Sequence, residues 1–577
     1  MGPGTLDRTA AATRLRELDD SGGRVDVVVI GGGITGAGVA LDAAARGLRT
    51  VLLERDDFAS GTSSKSSKLV HGGLRYLQQG DVRLVYEALA ERQRLRRNAP
   101  HLVKVLPFLL PIFTRDGLFN RKLAWALGKA MWMYDLTGGA RIGKLHQRLS
   151  TDEALEYMPT LPEERLAGAY LYYDATTDDA RLTLTVARTA ALDHGAVVLN
   201  RAEVVGFVHE GDQLAGVRVR IGGGTGGTVE ELTVRARHVV SAAGVWSDRV
   251  RGLDRDRDPD TIRPAKGVHI TVPWEKVRNE IAAVVPVPKD RRSVFVVPWG
   301  DQTYIGTTDT DYDGPLDDPR CTDEDVDYLL RAINASVDQP ITRADITGTW
   351  AGLRPLVKTA ASGRTADLSR RHRVTVDEDG LVTINGGKLT TYREMAEDTV
   401  DAIVERLDDA TRSRIQRRSP TRRLPLRGST GYVQVRDGGA DVAGSAPLDD
   451  DAVVHLADRY GGEARTLLAM VEKTPDLAAP LAPGHPYLRV EALYAARYEM
   501  ATCLDDVLTR RVPLRLRDAA ASAEVADAVA ELIRDELGWT DEDVVREIEA
   551  FRAAVADERR AAGLVEPEVE ASADRAS

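Results

Sequence analysis

A chain of 577 residues with 43% hydrophobic and 29% charged residues has the composition of a globular protein, long enough for two or three domains. Its net charge of −12 argues against a general nucleic-acid role. Cys321 and Cys503 are the only cysteines, and neither has a partner at metal-ligand spacing. They read as free thiols in a reducing cytosol, and no metal site is expected.

Residues 1–22 are polar, lack the apolar core of a signal peptide, and form an N-terminal extension. No apolar run approaches the ~20 residues of a spanning helix. The nearest, V-L-P-F-L-L-P-I-F at 105–113, is short and interrupted by Pro107 and Pro111. A cytoplasmic location without a spanning segment is expected.

The first structured unit begins at residues 25–30, whose V-D-V-V-V-I predicts a buried strand. G-G-G-I-T-G follows at 31–36, then a small-residue helix through Arg46 that Gly47 suits as a cap, then a second strand at 50–53 ending on Glu54. That is a β-α-β unit for a dinucleotide. Gly31, Gly33 and Gly36 let the backbone approach a pyrophosphate at the helix N-terminus. Glu54, eighteen residues past Gly36, is placed to accept hydrogen bonds from a ribose.

Residues 62–77 read T-S-S-K-S-S-K-L-V-H-G-G-L-R-Y-L. Hydroxyls, two Lys, a His, a glycine pair, an Arg and a Tyr in so short a stretch suit a site that holds phosphate and moves a proton. Taken alone, a solvated loop with incidental charges is the other reading. At 118–134, L-F-N-R-K-L-A-W-A-L-G-K-A-M-W-M-Y sets two Trp and three cations among apolar residues. It reads as an interfacial helix with Arg121, Lys122 and Lys129 toward anionic lipid, or as a core helix with a solvated basic edge.

Residues 202–220 and 232–237 are strand-rich and flank a glycine-rich hairpin at 222–227. Three later segments end strands on glycine turns: H-V-V-S-A-A-G at 238–244, T-Y-I-G-T-T-D at 303–309 and L-V-T-I-N-G-G-K-L-T-T at 381–391. Each alone is ordinary turn chemistry; together they suggest one cofactor touched from several distant places. From about Arg423 the pattern turns helical at 450–472, 489–511, 519–537 and 541–554. The expected domains are therefore 23–422, 423–556 and a charged, Ala-rich disordered tail at 557–577.

The chain closely resembles the FAD-dependent glycerol-3-phosphate dehydrogenases of the aerobic, quinone-linked type. The resemblance rests on the motifs at 31–36 and 62–77, D-D-A-R-L at 178–182, A-A-G-V-W at 242–246, G-T-T-D at 306–309, A-G-L-R-P-L at 351–356 and G-G-K-L-T-T-Y-R at 386–393. It continues through E-M-A-T-C-L-D-D-V-L-T-R-R at 499–511. It implies an α/β fold, a doubly wound FAD-binding core with an interleaved antiparallel substrate-binding sheet, plus a C-terminal α-helical domain.

By that resemblance the substrate is sn-glycerol 3-phosphate, oxidised to dihydroxyacetone phosphate by hydride transfer to FAD. Electrons then pass to a membrane quinone, with peripheral contact at the inner face of the cell membrane; a homo-oligomer is left open. Arg75, Tyr76, Arg354, Arg370 and Lys388 match the substrate pocket, and Ser63, Ser64, Lys68, Gly244 and Gly387 match cofactor positions. Arg354 and Lys388 would activate the hydroxyl electrostatically, with His71 as base or proton path. Asp309 reads more as a turn cap, and Asp178–Asp179–Arg181 as a helix N-cap and salt-bridge cluster. The rival readings are an oxidase that makes hydrogen peroxide, an amine-oxidising flavoprotein disfavoured by the cationic set, and an FAD-binding module without turnover.

Overall fold

The strand Arg24–Ile30 is buried on both faces, which its run of Val and Ile allows, and it sits in the middle of a sheet. A computed structural model describes residues 4–73, 82–114, 121–136, 142–222, 229–253, 260–288, 290, 292–358 and 371–564, without the side chains of 121–127 and 130. Arg75, Tyr76, Arg370, nearly all of the hairpin at 222–227, and the tail from 565 lie outside the described residues.

Five strands run parallel in the order Val382–Asn385, Glu230–Ser241, Arg24–Ile30, Thr50–Leu53, Val197–Leu199. The helix Ile34–Ala45 makes the first crossover and the helix Asp179–Leu192 leads into the last strand. Ile34–Ala45 is built from small residues, which lets another helix, Tyr392–Val404, press against it. A Cβ at Gly38 would stand 2.8 Å from Cδ2 of Tyr392. Glu230–Ser241 serves twice: its first half pairs antiparallel with Gln213–Ile221, its second half enters the parallel sheet.

A second, ten-stranded sheet is antiparallel except where Ala282–Pro286 lies parallel to Lys104–Phe113. The apolar run at 105–113 thus fills a strand of this sheet. Its edge strand, Leu69–Val70, pairs with Leu166–Thr176 and lies within the 62–77 segment, so that segment joins the two sheets. The doubly wound core, the antiparallel sheet beside it and the helical C-terminal region are the architecture that the sequence implied.

Several boundaries differ from expectation. The N-terminal extension is part of the fold: helix Arg8–Asp20 places Ala11, Ala12 and the fully buried Leu15 in the main core. The pattern at 450–472 divides at Gly461, whose missing side chain admits the Gly428 carbonyl; a Cβ there would lie 1.9 Å from that oxygen. The pattern at 489–511 divides into the α-helix Arg489–Tyr498 and the π-helix Asp506–Arg511. The last helix, Asp541–Ala561, runs through position 557, where a disordered tail was expected. Ala and Arg sustain the helix, and the buried Ala562 and packed Leu564 anchor its end to the second sheet. Among the described residues no helix is long and apolar enough to cross a membrane.

Candidate active site

A cavity of about 450 Å³ opens at the carboxyl ends of the parallel strands, where ligands bind in sheets of this kind. Gly31, Gly33, Glu54, Ser63, Gly244, Gly387 and Lys388 all lie on its wall. Gly31 has φ +106°, and a Cβ there would lie 2.7 Å from the Ala242 carbonyl oxygen. A Cβ at Gly36 would lie 1.9 Å from the Gly31 oxygen, so the turn closes only on glycine. Gly33 is the N-cap of Ile34–Ala45 and directs that helix's free N–H groups at the cavity.

Glu54 accepts hydrogen bonds from the backbone N–H groups of Gly32 and, at 2.8 Å, Asp56. Burial pushes its carboxyl up to about 7, against the pull of those two donors. Two ribose hydroxyls donating to it would favour the ionised form, which makes this a fitting acceptor for a nucleotide sugar. Ser63 accepts from the Ile34 N–H at 2.9 Å, tying the 62–68 segment to the start of the helix.

Two residues expected at the cofactor, Ser64 and Lys68, are not on the cavity wall. Ser64 follows Ser63 in a 3₁₀ turn and is buried, its hydroxyl withdrawn from solvent. Lys68 has φ +53° and turns its ammonium inward, 2.6 Å from the buried carboxylate of Asp179. The Ser66 hydroxyl donates to the other Asp179 oxygen at 2.6 Å. Asp179 is therefore a buried anchor for this segment, while Asp178 caps its helix by accepting from the Arg181 N–H, as the sequence suggested.

Lys388 follows two positive-φ glycines, Gly386 and Gly387, and its ammonium nitrogen is shielded from solvent. Thr390, two residues on, accepts from the His71 N–H at 3.1 Å and donates to the His71 carbonyl at 3.3 Å. The fold thus brings His71 against the segment that carries Lys388. Arg354, on strand Gly348–Val357, lies next to Pro355 of the cavity wall. Its guanidinium donates to Thr307 Oγ1 at 3.0 Å and to the Thr308 carbonyl at 3.1 Å, and faces Asp309 at 3.4 Å. Asp309 is therefore a partner of Arg354 rather than the turn cap expected. Thr62 donates to the Leu353 carbonyl at 2.6 Å, binding the 62–68 segment to the Arg354 strand. Sequence reasoning missed Thr390 and the Asp309 pairing, because nothing local marks a contact made across 319 or 45 positions.

Family comparison agrees with this geometry. Residues 26–401 match the family of FAD dependent oxidoreductases, and residues 419–544 match the C-terminal domain of alpha-glycerophosphate oxidase. The chain is 43% identical over 535 residues to the glycerol-3-phosphate dehydrogenase of Mycobacterium leprae, covering 92% of this chain and 88% of that one. The chain belongs to the FAD-dependent glycerol-3-phosphate dehydrogenases.

The human mitochondrial glycerol-3-phosphate dehydrogenase is 38% identical over 550 residues, spanning 91% of this chain and 72% of its own. Among solved structures, the glycerol-3-phosphate dehydrogenase of Bacillus halodurans complexed with FAD superposes with a TM-score of 0.76 at 30% identity, over 97% of this chain and 98% of that one. An L-alpha-glycerophosphate oxidase from Mycoplasma pneumoniae shares the fold at 18% identity and TM-score 0.52. The cofactor of this family member is FAD. The cavity suits it: backbone that no side chain could share at Gly31 and Gly36, a buried acid at Glu54, and glycine turns at Gly244 and Gly387.

Proposed function

We propose that this chain oxidises sn-glycerol 3-phosphate to dihydroxyacetone phosphate at a single FAD site and delivers the electrons to a membrane quinone. The observation that carries it is the pairing of a cofactor cleft with a half-buried Lys388 on its wall and Arg354 beside it, in a chain 43% identical to a glycerol-3-phosphate dehydrogenase over nearly its full length. FAD supplies the hydride acceptor when bound. Gly31, Gly33 and Gly36 hold its pyrophosphate against the helix N-terminus, Glu54 takes the ribose hydroxyls, and Ser63, Gly244 and Gly387 complete the cradle.

On the substrate side, Lys388 and Arg354 stabilise negative charge on the phosphate and on the C2 oxygen as its proton leaves. Arg75, Tyr76 and Arg370 supply further phosphate donors, and arginine forks suit that task. His71 takes or relays the hydroxyl proton: imidazole is the side chain suited to proton transfer near neutral pH, and Thr390 holds the His71 backbone in place.

Peripheral membrane contact fits the acceptor. On helix Arg121–Leu136, Trp132 is 56% and Leu136 82% exposed, with Met133 and Lys129 also at the surface. Trp132, Met133 and Leu136 are thus three exposed large hydrophobics on one helix, which argues for apolar docking through it. The reading in which oxygen is the acceptor is separated by following reoxidation. After reduction by glycerol 3-phosphate, the flavin is expected to reoxidise rapidly with a soluble quinone analogue and slowly in air. Rapid reoxidation in air with one hydrogen peroxide per flavin would replace the quinone by oxygen.

A further inference from the structure

The turn that carries His71 is held from its far side by a buried polar cluster to which nothing above gives a part in the reaction. Gly72 donates its backbone N–H to two acceptors at once, Asp174 Oδ1 at 3.1 Å and the Tyr134 phenol oxygen at 3.2 Å. Tyr134 donates its own proton to Asp174 Oδ2 at 2.7 Å. Arg92 donates to the same carboxylate, and also to the Tyr173 carbonyl at 3.0 Å. Arg92 and Tyr134 are 1% exposed and Asp174 2%.

We infer that Tyr134 and Asp174, supported by Arg92, are positioning residues that set the orientation of His71. This rests on the proposed substrate side of the site. A carboxylate, a guanidinium and a phenol withdrawn from water contribute little to stability that packed apolar side chains would not. What they add here is direction. The peptide between His71 and Gly72 is fixed at both ends: Thr390 holds the His71 N–H and carbonyl, and the Asp174–Tyr134 pair holds the Gly72 N–H.

No side chain could intervene at Gly72. A Cβ there would lie 2.4 Å from Leu89 Cδ2 and 2.6 Å from the Tyr134 oxygen, so the backbone is pressed onto the cluster. Gly73 follows with φ +76°, a left-handed conformation that glycine adopts without strain. Burial and the neighbouring Asp174 hold the Tyr134 phenol well above its ordinary value, so it remains a neutral donor to the carboxylate at working pH. The three side chains come from helix Val82–Asn98, helix Arg121–Leu136 and strand Leu166–Thr176, so three elements converge on one amide of the substrate loop.

The test uses the full-length, FAD-loaded protein and the variant Tyr134→Phe, which deletes one hydroxyl and keeps the ring. Anaerobic stopped-flow reduction by glycerol 3-phosphate, across substrate concentration and pH, is combined with amide hydrogen exchange at Gly72. The expected result is a limiting reduction rate roughly 10- to 100-fold lower, a higher KM and a displaced pH profile, with FAD content unchanged and a melting temperature a few degrees lower. Gly72 should exchange faster than in the parent. Parent-like reduction kinetics and unchanged Gly72 exchange would overturn the inference, as would a rate loss that merely tracks lost FAD. If the parent itself is not reduced by glycerol 3-phosphate, the proposed function fails, while faster Gly72 exchange in the variant still reports the hold on that amide. The exchange measurement keeps the two failures distinct.

Discussion

Replacing Arg354 with methionine is expected to slow flavin reduction by glycerol 3-phosphate about 10³-fold while FAD stays bound. Three contacts, to Thr307, the Thr308 carbonyl and Asp309, hold the guanidinium before any substrate arrives. A preorganised cation costs no reorganisation when charge develops on the substrate oxygen, which is why deleting such a donor removes rate rather than only affinity. Methionine keeps an unbranched stem, is shorter, and removes the charge. Gly267 lets the guanidinium lie close, since a Cβ there would be 2.5 Å from Nη2 of Arg354, so the pocket accommodates the smaller side chain without a clash. Arg354→Lys should recover only part of the loss, because an ammonium cannot reproduce the fork. Single-turnover reduction rates check this. A parent-like rate in Arg354→Met would remove Arg354 from the reaction.

The second large effect concerns stability. Asp57, three residues past Glu54, accepts from Arg510 Nε and Arg511 Nη1, each at 2.7 Å, from Arg511 Nη2 at 2.9 Å, and from Asn200 at 3.2 Å. The side chains of Asp57 and Arg511 are 0% and 1% exposed. The two arginines hold the carboxyl far below its ordinary range despite its burial. They belong to the π-helix Asp506–Arg511 of the C-terminal region, so that region latches the loop whose Arg55, Asp56 and Ser60 line the cofactor cavity. Asp57→Ala leaves two buried guanidinium groups without their shared carboxylate. It should cost about 3–5 kcal/mol and loosen FAD binding. Thermal melting with and without added FAD, and FAD retained through gel filtration, measure both. A variant that melts and retains FAD like the parent would refute the latch.

The legible parts were those whose cause is local. The β-α-β unit at 24–54 announces itself because a buried parallel strand needs an unbroken apolar run and a pyrophosphate turn needs glycine. His71 and Lys388 stand out because each adjoins a glycine pair that brings backbone close to the site. Hydroxyl and lysine content in 62–68 was read as cofactor contact. For Ser63 the fold places the side chain on the cavity wall, but Ser64 and Lys68 face inward, because a 3₁₀ turn and a positive φ redirect neighbouring side chains. The helix running past 557 was hidden by its charge, which a helix anchored at one end tolerates.

What escaped the sequence altogether were ties between distant positions. Arg393 forks onto Glu91 and Arg511 onto Asp57, and Arg181 donates to one Glu499 oxygen, each across more than 300 positions. The partners carry no local signal, since any surface arginine would look the same until the chain folds. The same holds for Asp174 and Tyr134, whose meeting with Gly72 depends on a strand and a helix far along the chain. Their ring of buried charge is legible only once three elements have converged.

The central claim is that one FAD, held in this cleft, takes a hydride from glycerol 3-phosphate. Its most direct test is to add glycerol 3-phosphate to the purified, FAD-loaded protein under strict anaerobiosis and follow the oxidised-flavin absorption. The account predicts that the yellow colour bleaches, with one dihydroxyacetone phosphate formed per FAD. A flavin that stays yellow at saturating glycerol 3-phosphate would contradict it.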